Sequence, residues 1–201
     1  MNIIARKQYV DHIWKFIDKG MIIALTGQRR VGKSYIVREF IDEIRTMTPD
    51  ANIIYINKEK TKFDNIKNAN DLSNYLEGKL ADGRDNYLLI DEVQDIDGFE
   101  NILRSLNADE ECRIVVTGSN AKMLSSELST YLGGRYIEIH IHSLSYREFL
   151  TFHNLDDSDE SLMKYLCFGG LPHLYRLGLG NEDMVWEYIQ NIYNTIVLKD
   201  V

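Results

Sequence analysis

Gly27-Gln28-Arg29-Arg30-Val31-Gly32-Lys33-Ser34 follows the apolar run Met21-Ile22-Ile23-Ala24-Leu25-Thr26 and precedes a segment in which Ile36, Val37, Phe40, Ile41 and Ile44 recur at helical spacing. A short apolar run bounded by Gly20 and Gly27 suits a strand buried on both faces, and Pro49 lies just past the helical pattern. The order is strand, glycine loop, helix. The octet fits G-x-x-x-x-G-K-[ST], the P-loop or Walker A motif, whose glycines let successive backbone N–H groups turn inward around phosphate oxygens. The positive end of the following helix faces the same point. Lys33 is suited to reach the β and γ phosphates of a nucleoside triphosphate, and the Ser34 hydroxyl to ligate Mg²⁺. The expected nucleotide-binding set is Gly27, Gln28, Arg29, Arg30, Val31, Gly32, Lys33, Ser34 and Tyr35, with Arg29 and Arg30 either touching phosphate or solvated.

The alternation continues outward. Ile53-Ile54-Tyr55-Ile56 reads as a second strand, and Leu72, Tyr75, Leu76 and Leu80 as one side of a helix. Tyr87-Leu88-Leu89-Ile90 is a third strand, Phe99, Ile102, Leu103 and Leu106 mark a helix, and Arg113 to Thr117 is a fourth strand. Met123, Leu124 and Leu128 predict a further helix. From Tyr136 to His142 the residues alternate, with Ile137, Ile139 and Ile141 on one side, as in a strand nearer an edge. Strands interleaved with helices predict an α/β fold: a five-stranded parallel sheet with flanking helices and a ligand site beyond the carboxyl ends of the strands. Beyond Leu144 the pattern turns helical, punctuated by Gly169-Gly170-Leu171-Pro172. Residues 1–142 are read as the nucleotide-binding core and 143–201 as a helical lid. Apolar periodicity still runs at Lys199-Asp200-Val201, so the lid is expected to be cut short.

Composition narrows the setting. The 44% hydrophobic and 27% charged residues are those of an ordinary globular protein. No apolar stretch approaches the roughly 20 residues that cross a bilayer, and the start lacks a signal-peptide core, so a cytoplasmic protein without a membrane partner is expected. Net charge −8 disfavours a phosphate backbone on average, so nucleic acid is not indicated for this chain. Cys112 and Cys167 stand apart without a ligand cluster and read as buried thiols rather than a disulfide or zinc site.

Tyr87-Leu88-Leu89-Ile90-Asp91-Glu92 is an apolar strand ending in two acids, a Walker B pattern. Asp91 is placed to hold Mg²⁺ through its water shell, and Glu92 to polarise the attacking water and accept its proton. The alternative is an acidic turn before the next helix, with Asp97 as its N-cap. Thr117-Gly118-Ser119-Asn120 follows the fourth strand and offers either γ-phosphate or water contacts through Thr117 and Ser119, or a helix cap. Arg135, after Gly133-Gly134, is either a guanidinium for transferring phosphate or a surface arginine after a helix C-cap. His140 and His142 share one side of a strand without a third metal ligand, and His173 reads as structural.

These motifs together resemble prokaryotic AAA-type P-loop ATPases of the group with GQRRVGKS and DEVQ motifs, here Gly27 to Ser34 and Asp91 to Gln94. Further matches are Thr117-Gly118-Ser119, the Leu-Gly-Gly-Arg segment ending at Arg135, Leu144-Ser145-Tyr146-Arg147-Glu148-Phe149, and Gly169-Gly170-Leu171-Pro172. The resemblance implies an AAA/ASCE sheet with the fourth strand beside the P-loop strand, a helical lid from about Ser143, and ATP rather than GTP. It implies that Thr117 and Ser119 occupy the sensor region, that Arg6 opens the segment near the adenine, and that Arg135 serves a neighbouring subunit of a homo-oligomer. Such proteins usually continue into winged-helix and nuclease-like domains, through which nucleic acid would become a partner of the full-length protein. Thr-Gly-Ser departs from the Thr-Asn common in other AAA proteins. The motifs fit an Mg-dependent ATPase coupled to a C-terminal effector, with catalytic Lys33, Glu92 and Arg135. They also fit an ATP-held switch with little turnover, and less well a P-loop kinase.

Overall fold

The apolar run before the P-loop forms β1 (Ile22–Thr26), and all of its residues are buried. The same holds for β3 (Asn86–Asp91). Strands covered on both faces read as continuous apolar runs, and that is what these segments are. With β2 (Asn52–Asn57), β4 (Arg113–Thr117) and β5 (Tyr136–His140) they make one five-stranded sheet in the order β2-β3-β4-β1-β5. Every pairing is parallel. β4 lies beside β1, and β5 takes an edge with Glu138 and His140 exposed and Ile139 buried. β5 ends at His140, so His142 falls beyond the strand predicted for it.

This computed structural model describes residues 4–119 and 132–200, with side chains through 195. The helix expected around Met123, Leu124 and Leu128, and Asn120 as a cap, lie outside the described residues. Two compact units are present: Met1–Gly27 with Lys33–His140, and Gln28–Gly32 with Ile141–Val201. Among the described residues no helix is long and apolar enough to cross a membrane.

In the first unit, α1 (Lys7–Ile17) precedes the strand–helix alternation and buries Val10, Ile13 and Ile17. It packs with α2 (Lys33–Met47), which buries Ile36, Val37, Phe40, Ile41 and Ile44. Trp14 meets Phe40 at 4.8 Å and Tyr87 of β3 at 6.5 Å between ring centroids. Its indole nitrogen donates to Glu43 Oε2 at 2.9 Å, so the polar end of the ring is satisfied.

A separate cluster joins α3 (Ala69–Leu76) and α4 (Phe99–Ala108) to Ile54, Ile56, Leu88, Ile90, Ile114 and Val116. Alternate residues of each strand thus feed opposite faces. α3 stops at Leu76, and Leu80 packs from the turn that follows. The N-cap of α4 is Gly98 with φ 71°, not Asp97. The Asp97 backbone is already used: its N–H donates to Lys67 O and its carbonyl accepts from Ala69 N, each at 2.8 Å.

In the second unit, α5 (Tyr146–His153) opens with a capping box in which Ser145 and Glu148 satisfy each other's backbone N–H. α6 (Asp159–Phe168), the short α7 (Leu174–Leu177) and α8 (Glu182–Asp200) follow, with Phe168, Leu174 and Val185 as their core. Gly170 sits against the segment before α5. Its carbonyl accepts from Leu144 N at 2.7 Å, while Leu144 O accepts from the Tyr165 hydroxyl at 2.9 Å. A Cβ at position 170 would lie 2.9 Å from Leu144 N and closer still to its carbonyl oxygen. Gly170→Ala is therefore expected to cost about 1–3 kcal/mol of stability. Gly180→Ala, at a glycine with open space around it, is expected to cost less than half as much. Urea unfolding followed by circular dichroism compares the two, and equal midpoints would refute the close-approach explanation.

Candidate functional site

Parallel strands bring their carboxyl ends to one rim, and here each strand ends on a polar residue: Thr26, Asn57, Asp91, Thr117 and His140. Thr26, Asn57, Asp91 and Thr117 are buried. Register sets them side by side, with Asn57 opposite Asp91, Leu25 opposite Thr117, and Thr26 opposite His140. Buried polar groups need partners: Asn57, Asp91 and Thr117 find them in one another, and Thr26 finds its own on β5.

Asp91 is fully buried. Its Oδ2 accepts from the Tyr55 hydroxyl and from Asn57 Nδ2, both at 3.1 Å, and its Oδ1 accepts from the Thr117 hydroxyl at 2.5 Å. Burial and the Asp91 charge raise the Tyr55 pKa, so the phenol stays a donor. The Thr117 oxygen also accepts from the backbone N–H of Glu92 at 3.0 Å. One hydroxyl thus fixes both acids.

Glu92 has φ 58° and ψ 56°, a left-handed conformation uncommon for a side-chain-bearing residue and frequent at functional turns. A 3₁₀ turn over Val93–Asp95 follows, anchored by buried Val93 and Ile96. The Glu92 carboxylate accepts from Ser119 Oγ at 2.8 Å and from Gln94 Nε2 at 2.6 Å. The structure therefore brings Asp91, Glu92, Thr117 and Ser119 together. Ser119 touches Glu92 rather than capping a helix within the described residues.

The P-loop leaves β1 at Thr26 and enters α2 at Lys33. Gly27 (φ 132°), Arg30 (φ 69°) and Gly32 (φ 102°) all take positive φ, the conformation that turns successive N–H groups to one side. Lys33 is 4% exposed, and its ammonium donates to Gly27 O at 2.9 Å. Val31 is buried, Ser34 half-buried, and Gln28 and Tyr35 exposed. Arg29 Nε is buried without a hydrogen-bond partner among the described residues. Within the second unit, Arg30 Nη1 donates to the Tyr188 hydroxyl at 3.3 Å, and His173 stacks on the same ring at 5.0 Å.

The Thr26 hydroxyl donates to Glu138 Oε1 at 2.6 Å and lies 3.3 Å from His140 Nδ1. Arg6 is buried, with its N–H on Glu39 Oε2 at 3.0 Å and its guanidinium over Tyr9. Arg135 is exposed and stands at the amino end of β5, since Ile22 pairs with Tyr136 and Thr26 with His140. Arg135 is level with Met21, so at about 3.3 Å per residue it is roughly 20 Å along the sheet from Gly27, where the P-loop starts. Along the strands Arg135 thus stands at the opposite end of the sheet from Gly27. Tyr55 and Asn57 belong to the site without a motif that assigns them to it, and Gln94 ends the DEVQ motif without a role of its own read from it. The signal for Asn57 in the sequence is a polar side chain closing an apolar strand.

The sheet order, the loop between β1 and α2, and the acids at the tip of β3 define an AAA-type P-loop nucleoside triphosphatase fold. Residues 19–150 match the AAA domain family, and the chain belongs to it. An uncharacterized protein of Haemophilus influenzae is 33% identical over 98% of this chain and 50% of its own length. The chain spans about half the length of the curated relatives it matches. Among solved structures, a Walker-type ATPase of Pyrococcus abyssi is similar with a TM-score of 0.63 at 16% identity, over 98% of this chain and 74% of that one. AMPPCP-bound DnaA from Aquifex aeolicus is similar with a TM-score of 0.55 at 18% identity, over 87% of this chain and 60% of that one. These structural likenesses concern the fold. Family and fold together support nucleotide binding and hydrolysis in general terms.

Replacing Thr117 by valine keeps the shape and strips two hydrogen bonds from a buried carboxylate and a buried turn. The expected loss is about 1–3 kcal/mol of unfolding free energy, with Thr117→Ser recovering most of it. Denaturant titrations of the three proteins check this, and a valine variant as stable as wild type would show that the hydroxyl does not organise the acids.

Proposed function

We propose that this chain binds ATP with Mg²⁺ and hydrolyses it to ADP and phosphate, and that turnover drives motion of an effector region in the longer protein. The observation that carries the reading is the doubly held acid pair, Asp91 buried under three donors and Glu92 turned beside it by a left-handed backbone. An adenine nucleotide is favoured by the likeness to a protein solved with AMPPCP.

The donor set suits Mg²⁺, a hard cation that takes a few protein oxygens and keeps several waters. The Ser34 hydroxyl and the Asp91 carboxylate are such oxygens. The ion, when held there, would supply charge neutralisation for the triphosphate. The P-loop N–H groups and Lys33 bind and orient the triphosphate, with Lys33 exchanging the Gly27 carbonyl for phosphate oxygen. Glu92 takes a proton from water as the water oxygen bonds to the γ phosphorus. The bond from phosphorus to the β–γ bridging oxygen breaks, and its electron pair leaves with ADP. Tyr55, Asn57 and Thr117 hold the Asp91 carboxylate in place through the three hydrogen bonds they donate to it. In the same reading Arg135 stabilises charge on a neighbouring subunit's nucleotide.

Steady-state phosphate release tests the proposal. Glu92→Gln is expected to lower kcat by about 10²–10⁴ with ATP still bound, and Lys33→Ala to weaken ATP binding by about 10–100-fold. Tight ATP binding by wild-type protein without phosphate release would replace the ATPase with a nucleotide-held switch. Arg135→Ala is expected to lower turnover by about 10³ or more in an assembled oligomer; a monomer with full turnover after that substitution would end the proposed role in trans.

A further inference from the structure

Both donors to the Glu92 carboxylate fall on the same oxygen. Oε2 accepts from Gln94 Nε2 at 2.6 Å and from Ser119 Oγ at 2.8 Å, and Oε1 has no hydrogen bond among the described residues. The geometry therefore distinguishes two chemically equivalent oxygens, one pinned and one presented. Gln94 is the closer of the two donors. It stands in the 3₁₀ turn over Val93–Asp95, where Asp95 N donates to Glu92 O at 3.2 Å and Ile96 N to Val93 O at 3.0 Å. Val93 has no exposed surface, and Ile96 only 1%. That anchoring gives the glutamine a fixed base.

The orientation of the amide is forced, because exchanging its oxygen and nitrogen would set two oxygens against each other. Its carbonyl oxygen is left buried with no partner among the described residues. A side chain kept for stability alone would not bury an acceptor in this way, since an unmet buried acceptor is destabilising. What the amide secures is the Glu92 carboxylate.

We propose that Gln94 is a positioning residue for the hydrolytic step, holding Glu92 by Oε2 so that Oε1 alone faces the water. The inference rests on the ATPase reading and adds to it the residue that aims the base.

The test is the split between kcat and KM for ATP, read by phosphate release. It compares wild type, Gln94→Met and Gln94→Lys, each checked for folding by thermal melts. Methionine keeps the length and removes the donor. It is expected to lower kcat by about tenfold or more with KM within about twofold. Lysine returns a donor at similar reach and is expected to regain at least half of the lost turnover. If the methionine variant does not fold, Gln94→Leu takes its place in the same comparison. Wild-type turnover matched within about twofold by the donor-less variant, or Gln94→Lys as slow as that variant, would overturn this inference alone. Wild-type protein that binds ATP and releases no phosphate would overturn the ATPase reading and this inference with it.

Discussion

A parallel sheet buried on both faces tolerates polar side chains only where its strands end. This constraint organises the molecule. All pairings are parallel, so those ends share one rim, and the residues there are Thr26, Asn57, Asp91, Thr117 and His140. Burying an ionised carboxylate is costly unless it is hydrogen-bonded, and Asp91 is supplied by β2 through Tyr55 and Asn57 and by β4 through Thr117. The register of three strands is thus written into the environment of one carboxylate. A slip of one residue in β2 or β4 would remove a donor and leave a buried charge short of partners.

The same economy positions the second acid. Thr117 uses its proton on Asp91 and its lone pair on the Glu92 N–H, so the two acids cannot shift independently. Gln94 and Ser119 then fix the Glu92 side chain from two different segments. On this account hydrolysis depends less on the acids as isolated groups than on how tightly the rim holds them.

Much of the fold was legible in the sequence because its strands are continuous apolar runs and its helices carry one-sided apolar patterns. The P-loop and Asp91-Glu92 were legible because their chemistry demands fixed residue types at fixed spacing. α1 was less so. Its Val10, Ile13 and Ile17 are periodic, but no strand precedes them to set the alternation. Gly98 displaced Asp97 as a cap because the Asp97 backbone bridges to residues 67 and 69, a tertiary pairing that local propensity does not encode. Tyr55 and Asn57 fell outside the motifs because their partner lies on another strand, and Gln94, though the last residue of DEVQ, showed no role until its side chain was seen turned back onto Glu92. The placement of Arg135 became clear only with strand register, which set it at the end of β5 away from the P-loop.

The central claim is that this rim holds Glu92 ready for water beside a triphosphate bound in the P-loop. A crystal structure with Mg²⁺ and a non-hydrolysable ATP analogue tests it most directly. The account predicts the triphosphate within the loop from Gly27 to Ser34, the Ser34 hydroxyl on the metal, Asp91 still bonded to Thr117, and a water about 3 Å from Glu92 Oε1 facing the γ phosphorus. A nucleotide bound elsewhere, or a Glu92 carboxylate turned away from the γ phosphate with no water between them, would contradict it.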